Sequence, residues 1–342
     1  METTRKLVES WISEKLIPGA VLDVSLGRTF RVQLAFGSYH DGTSEAGISL
    51  DTLFDAASLT KVTATLPAVL TLAAQGKLDF DDAAYRYVPQ LRHPKITIRH
   101  LLQHTSGLPA DLPHVDRSVA RDVKAQLFEQ ELQSEPGERA AYSDLGMILL
   151  GMIVEQASGE PLEQYVSRAV FKPLDMTESL FNPWPGLKPR IAATEPYGSG
   201  YVHGEVHDEK CFQLGGISGS AGLFTTADNL QKYAACWLNP QKYGLWTEQL
   251  ADKCVKDPVQ GRGLGWEVWN GQPEAPSCGE LWTHGSFGHT GFTGTSLWMD
   301  PLHQLSVVFL TNAVHFGRKT PIRSLRKLLH SSIYRELLGH MG

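Results

Sequence analysis

The chain has little cysteine: four residues, Cys211, Cys236, Cys254 and Cys278, in 342. None forms a CxxC pair, which argues against a zinc knuckle or a dithiol redox centre, and free structural thiols are expected. Long apolar runs are missing too. Residues 147–154 are apolar but interrupted by Gly151, far short of the roughly 18 residues that span a bilayer. The N-terminus carries Arg5, Lys6, Glu9, Glu14 and Lys15, where a secretory leader needs about 7–15 uncharged apolar residues. If Met1 is the native start, the expectation is a cytoplasmic protein; if a leader has been removed, a periplasmic or secreted one. Positive charge is in deficit, 31 Lys and Arg against 37 Asp and Glu for a net charge of −6. With no long basic run, a nucleic-acid partner is disfavoured. Internal repeats and low-complexity segments are absent.

What is present is a globular composition. At 42% hydrophobic residues, the chain has enough apolar surface to exclude intrinsic disorder. At about 100–200 residues per domain, the length gives two domains or one large domain with an insertion. Leu7, Trp11, Ile12 and Leu16 recur at helical spacing over residues 3–16, up to the stop at Pro18-Gly19. Residues 20–26 and 30–36 read as a hairpin turning at Gly27-Arg28. A helix is expected over 58–75, with Gly76 closing it. From Leu78 onward helical periodicity recurs at 98–103, 119–132, 143–157 and 162–170. Residues 184–222 are rich in glycine and loops. A helix at 226–237, capped by Thr226 or Asp228, precedes strands at 261–269, 294–299 and 305–310 and a closing helix at 321–338. The expected fold is α+β: an antiparallel sheet flanked by helices, with an all-α insertion lobe. Residues 1–77 plus 186–342 would form the sheet-bearing lobe and 78–185 the helical one, with a site in the cleft between them.

Several catalytic signatures are missing. No Gly-x-Ser-x-Gly elbow occurs, and Gly261-x-Gly263-x-Gly265 is not the dinucleotide fingerprint. His100 and His104 stand four apart, but Leu101 follows the first where a zinc protease has Glu, so neither metal nor cofactor is expected. Three short motifs remain. Ser58-Leu59-Thr60-Lys61 follows an apolar strand and opens a helix. Serine is a weak nucleophile until a neighbour takes its proton, and residues i and i+3 share a helix face. Unpaired N–H groups at a helix start stabilise an oxyanion, although a plain N-cap serine fits the position equally. A second match, Ser324-Leu325-Arg326-Lys327, sits in the closing helix and reads as a solvated face. Tyr142-Ser143-Asp144 precedes an apolar helix. Beside a lysine ammonium a phenol's pKa falls and it can take a proton; alone, the motif is a helix cap with a packed tyrosine. His289-Thr290-Gly291 is placed at the start of a strand, with Gly291 allowing substrate close to the backbone. Trp282 and Trp298, near it, read either as core or as the wall of an acyl pocket.

Taken in order, Ser-x-x-Lys, Tyr-x-Asp and His-Thr-Gly resemble the serine β-lactamase and penicillin-binding protein superfamily. The similarity extends through 100–109 (HLLQHTSGLP), 142–178, 220–228 (SAGLFTTAD) and 288–301, covers about residues 15–335, and looks most like the class C branch with its esterases, D-aminopeptidases and DD-peptidases. The resemblance implies that Ser58 is the acylated nucleophile, that Lys61 helps deprotonate it, and that Tyr142 is the general base. It also implies that the N–H groups of Ser58 and Phe292 form the oxyanion hole, and that Asp144, His289, Thr290 and Gly291 line the substrate site.

Two departures bear on substrate. Many members carry Asn where Asp144 stands; an ionised Asp only accepts hydrogen bonds, and at about 4 Å it would attract Lys61 by roughly 4 kcal/mol at a dielectric of 20. Many carry Lys where His289 stands, and neutral histidine is a poor anchor for a carboxylate. The expectation is a serine hydrolase on small esters or amides. Peptides of D-amino acids, including peptidoglycan-related β-lactamase or DD-carboxypeptidase substrates, are the alternative. A non-catalytic penicillin-binding receptor is the reading from another class.

Overall fold

In strand β1 (Gly19–Leu26) side chains alternate between two covered faces, which is why the segment reads as an apolar run. Ala20, Leu22 and Val24 enter one apolar cluster and Val21 the other. The computed structural model, which describes residues 1–339, pairs β1 with β2 (Phe30–His40), and β2 with β3 (Glu45–Gly47). The remaining strands come from the far end of the chain: β4 (Glu267–Val268), β5 (Phe287–Thr290), β6 (Ser296–Asp300) and β7 (Leu305–Thr311). The sheet order is β3-β2-β1-β7-β6-β5-β4, antiparallel throughout, with Leu22 opposite Phe309 and Val24 opposite Val307.

Five longer helices matter here: α1 (Glu2–Ser13), α2 (Leu66–Ala74), α3 (Asp144–Ser158), α4 (Ala227–Leu238) and α5 (Ile322–Leu338). Val8 and Trp11 of α1 and Leu325, Leu329 and Ile333 of α5 pack on the Leu22, Phe309 and Trp298 face. Leu230 and Ala234 of α4 cover the other face, in one cluster with Val21, Val308, Leu66, Leu145 and Val166. The fold is therefore the expected α+β arrangement, and the helical segment shares a core with the sheet.

Local elements depart from expectation for identifiable reasons. The helix expected at 58–75 opens as a wide π turn over Lys61–Thr65 before α2 begins; Pro67 has no N–H to give the Thr63 carbonyl, so the α ladder cannot run through. The helix expected at 119–132 is only Val123–Phe128, capped by Asp122, and the N–H of Gln133 is taken by Gly107 instead. The strand expected at 261–269 shrinks to β4, because Gln260, Gly261 and Gly265 adopt positive φ. Residues 180–181, assigned to the all-α segment, form a strand that pairs with Leu223–Thr225, itself paired with Phe54–Asp55.

Candidate active site

Ser58 lies just after the short strand Phe54–Asp55, at the entrance to the π turn. Ala57 before it has φ +48°, a conformation costly to a residue with a Cβ. The cost is held by Asp55, whose Oδ1 accepts the Ala57 N–H at 2.8 Å while Oδ2 accepts that of His207 at 2.7 Å. Lys61, three residues on and 1% exposed, brings its Nζ to 2.8 Å from Ser58 Oγ and 2.8 Å from the Ser220 carbonyl. A third oxygen, Asp144 Oδ1, stands 2.8 Å away, closer than the sequence argument assumed. Two of these accept hydrogen bonds from the ammonium, and Asp144 pairs with it by charge. Burial opposes the charge, but Asp144 and Tyr142 outweigh it and hold the Lys61 pKa above its ordinary value.

Asp144 opens α3, and Ser143 caps it: its Oγ accepts the Gly146 N–H at 3.3 Å and donates to Pro109 O at 2.7 Å. The capping reading of this motif thus holds alongside any chemistry. Tyr142, half-buried, lies under two cations, Lys61 Nζ at 5.2 Å and the Arg262 guanidinium at 5.4 Å from its ring centre. His104 packs on it at 4.7 Å and His289 at 5.8 Å. The expected fall in the phenol's pKa does not follow. Lys61 and Ser58 pull it down, but burial is the larger effect and the net direction is up.

Across the cleft, His289 and Thr290 end β5 rather than begin a strand, and residues 291–295 turn into β6. The tight approach that Gly291 permits is within the protein: a Cβ there would stand 2.1 Å from Thr295 Oγ1 and 2.5 Å from the Ala56 carbonyl. The Thr293 and Thr295 hydroxyls donate to the Asp55 and Ala56 carbonyls at 2.8 and 3.0 Å, stapling this turn to the segment before Ser58. From the sheet's outer side, buried Arg326 of α5 donates to the carbonyls of Gly294, at 3.1 Å, and Gly291. Among the described residues, neither the Ser58 nor the Phe292 N–H donates to another protein group. His289 Nδ1 lies 2.8 Å from the Thr290 carbonyl, so that nitrogen carries the proton. Burial keeps the ring neutral, its pKa well below the ordinary histidine value.

Ser58, Tyr142, Phe292 and Arg318 line both of two adjoining cavities. The larger, about 830 Å³, runs past His289 and Thr290 to Arg262, Arg323 and Lys327; no ion pair engages these three among the described residues. The smaller, about 230 Å³, is lined by Asp111, Asp144, Asp208 and Lys210. Lys210 and Arg262 carry no signal in the sequence. His104 stands out there only by its spacing from His100 and its place in the 100–109 stretch, and Arg326 as a charge on the apolar stripe of Ile322, Leu325 and Leu329. Ser324 and Lys327 are exposed as expected, but Arg326 between them is buried. Trp282 and Trp298 are core: they pack with α1 and α5, and Trp298 occupies the space beside Gly288 across the β5–β6 pair. His100 serves a helix cap, accepting the Thr97 N–H on Nδ1 at 3.2 Å. All four cysteines are free and buried.

Comparison with known proteins agrees with this fold. The family described as Beta-lactamase matches residues 4–331. A protein of Escherichia coli strain K12 named "Putative D-alanyl-D-alanine carboxypeptidase" is 36% identical over 302 residues, covering 77% of this chain and 70% of its own. A mutant of simvastatin synthase from Aspergillus terreus superposes with a TM-score of 0.78 at 21% identity, covering 99% of each chain. A class C β-lactamase mutant gives 0.75 at 20% identity, covering 97% of this chain and 96% of its own. A family match over nearly the whole chain, joined to a Ser58–Lys61 contact inside a cleft of the matching fold, makes this chain a serine hydrolase of the β-lactamase family.

Proposed function

We propose that the enzyme works through an acyl-enzyme at Ser58 on small esters or amides. The observation that carries this is the Lys61 ammonium 2.8 Å from Ser58 Oγ, with Tyr142 beside both groups, and Ser58 and Tyr142 facing the open cavities while Lys61 is buried behind them. Ser58 Oγ attacks the carbonyl carbon and its proton passes to the Tyr142 phenolate. The oxyanion settles on the N–H groups of Ser58 and Phe292. Tyr142 then protonates the leaving alcohol or amine and takes a proton from the water that hydrolyses the ester. Lys61, held cationic by Asp144, favours the phenolate. His289, Thr290 and Gly291 line the leaving-group side. On this reading the helical segment 78–185 supplies Tyr142 and Asp144, the rest of the chain supplies Ser58 and His289, and the two act as lobes around the substrate.

A second reading, peptides of D-amino acids, is favoured by one observation. Arg262, Arg323 and Lys327 face the larger cavity and offer a carboxylate the positive charge that neutral His289 does not. The name of the Escherichia coli relative supports it, and it goes with a periplasmic or secreted enzyme. Among the described residues no helix is long and apolar enough to cross a membrane. A non-catalytic receptor would have no use for an activated serine.

The test is initial rates on p-nitrophenyl butyrate, nitrocefin and D-Ala-p-nitroanilide, with Ser58→Ala beside the wild type and a fluorophosphonate probe for acylation. Ester cleavage lost in the variant supports the first reading, and dominant anilide cleavage the second. Turnover that survives Ser58→Ala, or no adduct at Ser58, defeats the mechanism.

A further inference from the structure

Asp144 is the carboxylate closest to the Ser58–Lys61 pair, and two ammonium groups share it. Lys61 Nζ stands 2.8 Å from Oδ1 and Lys210 Nζ 3.3 Å from Oδ2. Lys210 is only 5% exposed. It sits on the short helix Glu209–Gln213, and Asp208, which caps that helix, and Asp111 approach its Nζ at 3.1 and 2.9 Å. A buried ammonium is costly unless paired; here carboxylates from three separate segments meet it. The catalytic reading gives Lys210 no contact with substrate, and the sequence motifs give it no role.

We propose that Lys210 is a positioning residue whose ammonium, shared with Asp111 and Asp208, offsets part of the charge of Asp144, so that Tyr142 and Lys61 face a weakened carboxylate. This rests on the acyl-enzyme reading. Without Lys210, Asp144 would oppose ionisation of Tyr142 more strongly, since its charge pushes that phenol's pKa up while Lys61 pulls it down. It would also draw the Lys61 ammonium away from Ser58 Oγ. Other charged or titratable groups face the cluster from each neighbouring segment. His114, Arg121, His207 and Glu209 line the same cavity, with Glu209 ion-paired to Arg318. His104, His289 and Arg262 surround Tyr142. None of these stands between Lys210 and Asp144.

The experiment is kcat/KM against pH with p-nitrophenyl butyrate for the wild type, Lys210→Met, Lys210→Arg, Asp144→Asn and the Asp144→Asn/Lys210→Met double variant, with fluorophosphonate labelling of Ser58 in each. Lys210→Met should move the acidic limb up by about one pH unit, about tenfold in rate at a fixed pH below it. Asp144→Asn, which removes the carboxylate that opposes ionisation of Tyr142 and leaves Lys210 in place, should move it down. The double variant should return it to the wild-type position, and Lys210→Arg should leave it there. Where Lys210→Met fails to fold, the opposite shift of Asp144→Asn and its reversal in the double variant carry the same test. Limbs that do not move in Asp144→Asn, or a double variant no closer to wild type than either single one, overturn the proposal. Loss of Ser58 labelling from the wild type would instead overturn the acyl-enzyme reading beneath it.

Discussion

Replacing Arg326 by Met tests how the proposed oxyanion donor is held. The guanidinium never reaches substrate in the proposed mechanism; it lies buried beneath the turn and donates to the Gly291 and Gly294 carbonyls. Methionine fills the space of the stem and donates nothing. The Gly294 carbonyl would be left without its partner, at about 1–3 kcal/mol, while that of Gly291 keeps the Gly294 N–H and loses less; the cost is offset in part because a charge no longer has to be buried. A net loss of about 1–3 kcal/mol is expected, visible as a fall in Tm. The larger signature is kinetic. Phe292 lies between the two braced carbonyls, and losing an oxyanion donor outright costs about 10²–10³ in kcat. The Gly291 N–H to Thr295 carbonyl bond and the two threonine staples remain, so displacement is partial and about a tenfold to hundredfold fall is expected. It should appear in kcat with KM little changed, because the donors act on charge present only in the transition state. Arg326→Lys, one point charge able to meet one carbonyl, should fall between. A folded Arg326→Met enzyme with wild-type kcat on p-nitrophenyl butyrate would refute the reasoning.

Tyr142→Phe should cost about 10²–10⁴ in kcat/KM. In the wild type, because burial raises the phenol's pKa and the phenolate is the active form, the rate should climb with pH above 7; a flat profile between pH 7 and 9 would contradict Tyr142 as base. His289→Lys puts a permanent charge where a neutral ring stands, so acylation by penicillins should rise relative to p-nitrophenyl butyrate turnover, and an unchanged ratio would remove the carboxylate argument. His330, pushed down to about 3 by burial and by Arg326 beside it, stays neutral in the fold, while the unfolded chain protonates it near 6.5. Protons bound only by the unfolded state destabilise the fold as pH drops from about 6.5 toward 3, by about 1.4 kcal/mol per unit for one such group. His330→Gln should therefore flatten the fall in urea midpoint between pH 6.5 and 5; an unaltered slope would count against it.

The features legible in the sequence are those set by neighbours a few residues apart. Thr226 caps α4 by accepting the Asn229 N–H, and Gly27 turns the first hairpin with φ +61°. Ser58 and Lys61 meet because i and i+3 share a face of the tight turn that precedes the π segment. The motif order then joined Tyr142 and His289 to them through resemblance rather than through any local rule. What stayed hidden depends on sums over distant segments. The pull of Lys61 on Tyr142 was readable, but the burial that outweighs it comes from His104, His289 and the cleft wall together. Trp298 read as core, with a pocket wall as the alternative, until Gly288 opposite it showed which side it fills. Asp144 is the clearest case. In one dimension it is a charge where an amide is common, and it reads there as an attraction on Lys61 and a change in substrate preference. Lys210, sixty-six positions later and in no motif, stands 3.3 Å away, with Asp111 and Asp208 on the same ammonium, and in three dimensions the added charge is one of a cluster of paired groups. A departure from a motif can therefore be weighed as a change in chemistry only after the charges that fold against it have been counted.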